Sequence, residues 1–162
     1  MPPNPIIIRP AASSDQPTIV EFNRLLALES EQKQLSVKTL GRGVAACFER
    51  PELARYFIAE LGGAIIGQAM ITYEWSDWRC GMFWWIQSVY VEPGSRRRGV
   101  FRALFEQIAS RAKADGGVCG LRLYVEAHNQ AALATYRGMG MQPSGHLVYE
   151  LDWSSSIEPS KL

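Results

Sequence analysis

One continuous stretch, Gln87-Ser-Val-Tyr-Val-Glu-Pro-Gly-Ser-Arg-Arg-Arg-Gly-Val-Phe-Arg-Ala-Leu-Phe105, carries the strongest structural signal in the chain. Its first part is rich in β-branched and aromatic residues and predicts a strand, which Pro93-Gly94 ends. After three arginines, apolar residues recur at helical spacing from Phe101 onward. The stretch therefore predicts a strand that runs through a basic loop directly into a helix.

The loop between the strand and the helix is suited to binding an anion. The first amides of a helix have no partner within it, and the helix dipole places partial positive charge at that end. Gly99 lets the backbone approach a phosphate closely, while neighbouring arginines offer bidentate bonds to phosphate oxygens. The turn is therefore a candidate pyrophosphate site. It has neither the Gly-x4-Gly-Lys-Ser/Thr nor the Gly-x-Gly-x-x-Gly pattern of the common nucleotide loops.

Periodicity and turn residues predict the remaining elements. We expect strands at Ile6–Arg9, Arg55–Leu61, Ala64–Tyr73, Met82–Val91 and Leu121–Val125, with one or two more between Met141 and Leu151. We expect helices from Ser13-Ser14-Asp15 to about Glu29, over Ser36–Glu49, from Phe101 to Gly116-Gly117, and from Asn129 to about Arg137. This order predicts one α/β layer structure with a mixed sheet, followed by a polar tail over 154–162.

Composition limits the function classes. The 162 residues suit a single domain, and 47% apolar with 20% charged residues is typical of a globular protein. The formal net charge of +1 argues against a whole-chain field that recruits nucleic acid or an anionic membrane. No apolar run approaches the roughly 20 residues of a membrane span. The cysteines, Cys47, Cys80 and Cys119, lack metal-site spacing and suit a reducing compartment, so a cytoplasmic protein is the expectation.

A second motif follows the strand at Leu121–Val125. It reads Asn129-Gln-Ala-Ala132-Leu-Ala-Thr-Tyr136-Arg-Gly-Met-Gly140-Met141, and places Asn129, Ala132 and Tyr136 about one helical turn apart. This motif resembles the Asn-x-x-Ala-x-x-x-Tyr sequence of the GNAT acyltransferase superfamily. The basic loop resembles the Arg/Gln-x-x-Gly-x-Gly/Ala signature of the same superfamily, with Phe101 in the place of the last small residue. The resemblance extends over most of residues 5–152.

The resemblance implies the fold and the activity. The fold would be a central mixed, mostly antiparallel sheet of six or seven strands flanked by about four helices. The activity would be transfer of an acetyl group from acetyl-CoA to a primary amine in a ternary complex. A homodimer is the expectation because dimers are common in the family.

The resemblance also implies the residues that bind acetyl-CoA. The backbone of Ser88, Val89, Tyr90 and Val91 would pair with the pantetheine arm, and the Val89 amide would stabilise the oxyanion. The pyrophosphate would be bound by the loop and helix start at Arg96, Arg97, Arg98, Gly99, Val100, Phe101 and Arg102. Asn129 and Ala132 would flank the cofactor, and Tyr136 would donate a proton to the leaving thiolate.

The base that accepts the amine proton is left open by the sequence. Several relatives have a glutamate where this chain has Gln87, and an amide cannot act as a base. The alternatives are an ordered water chain or one of the carboxylates Glu74, Asp77 and Glu126, with Gln87 orienting the amine or a water. His128 and His146 lack metal-ligand spacing, so no metal is expected.

The acceptor is expected to be a small molecule. Aromatic residues and carboxylates in the early helices and around Tyr73–Trp78 suit a cationic amine. These are Tyr73, Trp75, Trp78, Trp84 and Trp85 with Glu29, Glu31, Glu74 and Asp77. The run Gly67–Trp78 also resembles the diamine acetyltransferase branch, which favours a polyamine or a diamine. A free amino acid, an aminated sugar or antibiotic, and a peptide N-terminus remain alternatives.

Three alternatives to a small-molecule acetyltransferase remain from the sequence. A non-catalytic module that only binds acetyl-CoA is favoured by Gln87, and Tyr136 argues against it. A peptide or protein N-acetyltransferase would use the same cofactor loop. A nucleic-acid-binding protein would use Arg96, Arg97, Arg98 and Arg102, but the near-zero net charge argues against it.

Overall fold

The computed structural model describes residues 5–154, which form two compact units. The first unit ends at Leu123 and the second begins at Tyr124. Most of the predicted polar tail, from 155 onward, lies outside the described residues. A single domain over the whole chain stays a prediction.

The first unit contains three helices and five strands among its described residues. The strands are β1 (Ile7–Pro10), β2 (Ala54–Leu61), β3 (Ala64–Ser76), β4 (Gly81–Val91) and β5 (Val118–Leu123). The helices are α1 (Gln16–Glu31), α2 (Val37–Glu49) and α3 (Val100–Asp115). The described part of the second unit contains one helix, α4 (Gln130–Gly138).

The five strands form one mixed sheet in the order β1-β2-β3-β4-β5. The first three pairings are antiparallel, whereas β4 and β5 are parallel. A parallel pair needs a long crossover connection, and α3 supplies it. The predicted α/β fold with a mixed, mostly antiparallel sheet is therefore confirmed.

Helix α3 packs one stripe of side chains into the larger of two apolar clusters. Val100, Leu104, Ile108 and Ala112 are all buried and lie four residues apart. Phe101, which replaces the last small residue of the signature, is half-buried, with its ring 6.3 Å from that of Phe105. The neighbouring Val100 fills the interior position instead, so the loop meets the core through an aliphatic side chain.

The predicted strands between Met141 and Leu151 are absent from the described structure, so the described sheet has five strands rather than six or seven. A strand requires a hydrogen-bonded neighbour, and no residue of this segment has strand pairing within the described part of the chain. Its apolar side chains are exposed, including Leu147, Val148 and Tyr149. The alternation of apolar residues indicated that this segment could form a strand, but it carried no information on a neighbouring strand.

The fifth strand begins and ends earlier than predicted. β5 spans Val118–Leu123 instead of Leu121–Val125, because Gly116 ends α3 with a φ of 77° and the chain enters the strand almost at once. Val125 is exposed and lies beyond the strand.

Candidate functional site

Strand β4 is interrupted by a bulge at the residues predicted to pair with pantetheine. Gln68 faces Tyr90 and Met70 faces Gln87, so Ala69 alone lies opposite both Ser88 and Val89. The extra residue breaks the ladder of backbone hydrogen bonds and re-aims the chain. Ser88 has a φ of 48°, a left-handed conformation that is strained for any residue with a Cβ.

A buried polar cluster lies beside the bulge. The Nε2 of Gln68 donates to the carbonyl oxygen of Ser88 at 3.2 Å and to the Oδ1 of Asn23 at 2.8 Å. The Nδ2 of Asn23 donates to the hydroxyl of Tyr56 at 3.0 Å. Burial raises the pKa of Tyr56, so its hydroxyl stays protonated. No motif predicted this cluster; the only sequence signal was the presence of amide side chains within otherwise apolar segments.

The loop after β4 delivers the chain to the start of α3. Ser95 is buried, Arg97 has a φ of 63°, and Gly99 has a φ of 81° as the N-cap of the helix. The first backbone bond of the helix runs from the Ala103 amide to the Gly99 carbonyl at 2.9 Å. No side chain caps this end of the helix. The amides of a first helical turn have no acceptor within the helix itself, an arrangement that suits the binding of an anion.

The arginines of the loop have different environments. Arg96 donates to the carboxylate of Glu29 at 2.6 Å and to the Val91 carbonyl at 2.9 Å, and lies over the Tyr90 ring. The hydroxyl of Tyr90 also donates to Glu29, at 3.0 Å. These partners lower the pKa of Glu29, with Arg96 as the main cause. Arg96 is thus bound by protein acceptors, whereas Arg97 and Arg98 are exposed on the loop.

The remaining predicted loop residues lie at the first turn of α3. Phe101 is half-buried, and Arg102 is exposed, with its nearest carboxylate 3.9 Å away on Glu106. An added Cβ on Gly99 would meet no atom within 4 Å. The positive φ is therefore the local reason for glycine, and the space beside it is open.

Two of the predicted base candidates are engaged by neighbouring side chains. Glu74 accepts hydrogen bonds from the Nη1 of Arg122 at 2.7 Å and from the indole of Trp85, one on each carboxylate oxygen. Asp77 accepts from the Trp78 amide at 2.9 Å in the β3–β4 turn. Both carboxylates therefore have hydrogen-bond partners within the protein.

Gln87 and Glu126 also have defined surroundings. Gln87 lies on β4 beside the bulge, and its Nε2 donates to the Oγ1 of Thr72 at 2.6 Å. Glu126 belongs to the second unit, is exposed, and accepts the Asn129 amide on its backbone carbonyl. Within residues 5–154, no cluster of histidine, cysteine and acidic side chains is arranged to hold a metal ion.

The residues predicted to suit a cationic acceptor fall into three groups in the structure: carboxylates with partners, buried aromatic residues and exposed aromatic residues. Of the four carboxylates, Glu29, Glu74 and Asp77 have the partners given above, and Glu31 forms an ion pair with Lys33. Trp84 is buried and its ring meets that of Tyr73 edge-on, so these two aromatics belong to the core. Trp75 and Trp78 are exposed at the β3–β4 turn, with Trp78 at 91%.

The second unit contains the predicted Asn–Ala–Tyr motif in helical form. The Oδ1 of Asn129 accepts the Ala132 amide at 3.0 Å and caps α4, as the sequence indicated. Tyr136 is half-buried on the same helix, and burial raises its pKa. Gly140, with a φ of 85°, ends the turn, and the Met141 amide bonds to the Tyr136 carbonyl at 3.0 Å.

Among the described residues, no helix has the length and apolar character needed to cross a bilayer.

Known proteins with similar sequences are acetyltransferases. The chain is 34% identical over 93 residues to mycothiol acetyltransferase of Mycolicibacterium gilvum, covering 54% of this chain. It is 32% identical over 80 residues to thialysine N-epsilon-acetyltransferase of Caenorhabditis elegans, covering 49% of this chain. The aligned stretches span 29% and 49% of those two relatives, respectively.

Solved structures share the fold. A possible acetyltransferase from Clostridium difficile 630 superposes with a TM-score of 0.84 at 41% identity, covering 91% of this chain and 97% of that one. A predicted acetyltransferase from Clostridium acetobutylicum, solved with acetyl-CoA, has a TM-score of 0.74 at 22% identity, covering 91% and 96%. Residues 21–141 match the acetyltransferase (GNAT) family, which includes both the bulge and the Asn–Ala–Tyr helix. The chain belongs to the acetyltransferase (GNAT) family.

Proposed function

We propose that the chain transfers an acetyl group from acetyl-CoA to a primary amine of a small molecule. The observation that carries this proposal is that two structural features, a bulge and a helix start, follow each other within residues 88–99. A bulge with a left-handed Ser88 opens the ladder of β4, and an uncapped helix start follows at Gly99. The bulge offers backbone groups to an extended acyl-pantetheine chain, and the helix start offers amides to its diphosphate.

The reaction makes three demands on the protein. A neutral amine attacks the thioester carbonyl, a C–N bond forms, and the C–S bond then breaks to release coenzyme A as a thiolate. The amine must lose a proton, the tetrahedral oxyanion needs a hydrogen-bond donor, and the thiolate needs a proton.

The first assignments are to β4 and the loop. The Val89 amide follows the bulge and would stabilise the oxyanion, while the backbone from Ser88 to Val91 would pair with pantetheine. The amides from Arg97 to Arg102 would bind the diphosphate, with the exposed Arg97 and Arg98 adding charge-assisted bonds.

The proton for the thiolate is assigned to Tyr136. Its raised pKa supports this role, because a general acid must be protonated at the working pH. The family motif supports it as well. Asn129 and Ala132, which open the same helix, would flank the cofactor.

The amine proton is assigned to water rather than to a carboxylate. Both oxygens of Glu74 are occupied by Arg122 and Trp85, and Asp77 holds a turn. Gln87 cannot accept a proton at neutral pH, but its amide is fixed by Thr72 beside the bulge. Gln87 would orient the water that carries the proton away.

The acceptor is proposed to be an amino-acid-like molecule with a side-chain amine. The relative from Caenorhabditis elegans is named for acetylating the Nε of thialysine, which is a primary amine of this kind. A polyamine would be favoured by free carboxylates, and the four that the sequence suggested have partners in the structure. A diamine or polyamine is therefore the second choice.

A non-catalytic protein that binds acetyl-CoA is the alternative, and Gln87 in the place of a carboxylate favours it. The test is release of free thiol from acetyl-CoA by the purified protein with thialysine, lysine, a diamine and a peptide N-terminus. We expect the fastest release with thialysine or lysine. Binding of acetyl-CoA without thiol release from any of these amines would favour the alternative, and fastest release with the peptide would indicate a protein N-acetyltransferase.

A further inference from the structure

Three buried polar side chains from three different elements meet beside the bulge of β4. Asn23 comes from α1, Tyr56 from β2 and Gln68 from β3, and they are 8%, 6% and 0% exposed. Burying polar groups costs free energy unless hydrogen bonds compensate, so their convergence requires an explanation. None of them belongs to either motif.

The three side chains and Ser88 are joined by a chain of hydrogen bonds. Gln68 donates to Asn23 and to the Ser88 carbonyl, and Asn23 donates to the hydroxyl of Tyr56. Ser88 also lies near enough to Tyr56 to influence the pKa of that phenol, as a smaller cause than burial. Gln68 therefore holds the backbone oxygen of Ser88, while Asn23 fixes Gln68 and Tyr56 fixes Asn23.

Fixing Ser88 matters because its backbone is strained. A left-handed φ of 48° persists in a serine only when the surrounding structure holds it there. Relaxation toward a negative φ would rotate the peptide that joins Ser88 to Val89. The amide of Val89 would then point in a different direction.

We propose that Asn23, Tyr56 and Gln68 are positioning residues that hold Ser88 in its left-handed conformation and thereby aim the Val89 amide at the reacting carbonyl. The inference rests on the proposed function, which assigns the oxyanion to Val89. A donor stabilises an oxyanion only when it is pre-aligned, so a small rotation of this peptide slows the chemical step more than it weakens binding.

The orientation of the Gln68 amide agrees with this role. Its nitrogen faces two acceptors, Asn23 Oδ1 and the Ser88 carbonyl, while its oxygen has no hydrogen-bond partner among the described residues. The opposite orientation would place the Gln68 oxygen against the Ser88 carbonyl. The Gln68 side chain therefore provides a donor for the Ser88 carbonyl in the bulge, although its own oxygen has no partner among the described residues.

The first experiment compares Gln68→Met and Tyr56→Phe with the wild type. Both changes remove hydrogen bonds of the buried polar cluster and preserve most of the side-chain volume. We expect kcat for acetyl transfer to fall about tenfold or more in each variant, with the Kd for acetyl-CoA within about twofold. Ile58→Val is the matched control, because Ile58 packs in the same cluster as Tyr56 and has no polar group. Its kcat should stay within about twofold of the wild type.

The second experiment uses pH. In Gln68→Glu, the protonated acid can still donate to the Ser88 carbonyl, but the ionised carboxylate repels it. We expect the ratio of variant to wild-type kcat to fall as pH rises, while Tyr56→Phe shows no such dependence. Circular dichroism is recorded at each pH, because ionising a buried carboxylate can also unfold the variant. A fall in kcat that only follows the loss of folded protein would contradict the positioning role.

The third readout does not depend on turnover. Amide hydrogen exchange at Val89, measured by NMR, should be faster in Gln68→Met and Tyr56→Phe than in Ile58→Val. If the wild type releases thiol but both polar variants match Ile58→Val in kcat and exchange, the positioning role is wrong. If the wild type releases no thiol while exchange at Val89 changes as expected, the three residues do hold Ser88 in place, and it is the proposed function that fails.

Discussion

The guanidinium of Arg96 and the carboxylate of Glu29 are 2.6 Å apart and join the last turn of α1 to the loop that precedes α3. Tyr90 strengthens this junction, because its hydroxyl donates to Glu29 and its ring lies beneath Arg96. The sequence assigned Arg96 to a phosphate together with its neighbours. The structure indicates that Arg96 holds the loop in place while its neighbours face outward.

A double-mutant cycle on Glu29 and Arg96 tests that role. We expect Glu29→Ala and Arg96→Ala each to weaken acetyl-CoA binding severalfold, about 1 kcal/mol or less for a pair this exposed. The double variant should be no weaker than the worse single variant, because both changes break the same junction. Binding would be measured by calorimetric titration at two salt concentrations.

Arg97→Ala is the matched control for that cycle, since Arg97 is an exposed neighbour on the same loop. It should weaken binding and reduce the dependence of affinity on salt, as loss of a phosphate contact does. If Glu29→Ala instead tightens binding and Arg96→Ala lowers the salt dependence, Arg96 is a phosphate ligand that Glu29 restrains.

A charge placed at Gly99 should prevent diphosphate binding. Gly99 has a φ of 81°, so any side chain there is strained, and asparagine tolerates this region better than most residues. Gly99→Asn and Gly99→Asp therefore share the strain and differ in charge. We expect Gly99→Asp to bind acetyl-CoA at least about tenfold more weakly than Gly99→Asn, roughly 1.4 kcal/mol.

The comparison at Gly99 would be made by titration with acetyl-CoA after circular dichroism has shown both variants folded. Equal affinities in the two variants would contradict the placement of the diphosphate at the start of α3.

The sequence predicted those parts of the fold that local patterns encode. The helix stripe of α3 and the cap at Asn129 depend on residues close together in the chain, and the structure contains both. The strands between Met141 and Leu151 depended on a partner elsewhere, which no local pattern reveals. The alternating apolar residues there were therefore misleading.

In the candidate site, too, the features encoded by neighbouring residues were predicted, and those that join distant parts of the chain were not. The loop and the Asn–Ala–Tyr helix are continuous motifs, so their residues were identifiable in advance. The buried polar cluster joins Asn23 to Gln68, 45 positions away, and the ion pair at the loop joins Glu29 to Arg96, 67 positions away. Spacings of that size follow only from the register of the sheet and the packing of α1.

Removing the charge of Glu74 should affect stability rather than proton transfer. Glu74 bridges Arg122 and Trp85, so Glu74→Gln leaves the partly buried Arg122 without its counter-ion. We expect a loss of about 1 kcal/mol in the free energy of unfolding, measured by urea titration. The pH at which kcat falls on the acid side should not change if, as proposed, water rather than Glu74 accepts the amine proton.

Arg122→Lys is the companion variant for Glu74, since it keeps the charge and loses the second nitrogen and the stacking on Phe83. A smaller loss of stability than in Glu74→Gln is expected. Loss of the acid-side dependence of kcat in Glu74→Gln would instead identify Glu74 as the base and overturn the assignment to water.

Loss of the Tyr136 hydroxyl should slow the release of thiolate. A positioned acid contributes about a hundredfold or more to such a step, so Tyr136→Phe should lower kcat by roughly that factor. The Kd for acetyl-CoA should stay within about twofold, because the hydroxyl acts on the leaving sulfur. Tyr149→Phe is the control, since Tyr149 is in the same unit and is 90% exposed.

The dependence of kcat on pH also tests whether Tyr136 acts as the acid. A phenol is an acid only while it is protonated, and burial raises the pKa of Tyr136 above its usual value near 10. Raising this pKa extends the protonated range upward, so kcat of the wild type should show no decline caused by Tyr136 below about pH 10. Rates would be measured by thiol release between neutral pH and the limit of stability. An alkaline decline well below that point, present in the wild type and absent from Tyr136→Phe, would mean that the site lowers the pKa of this phenol.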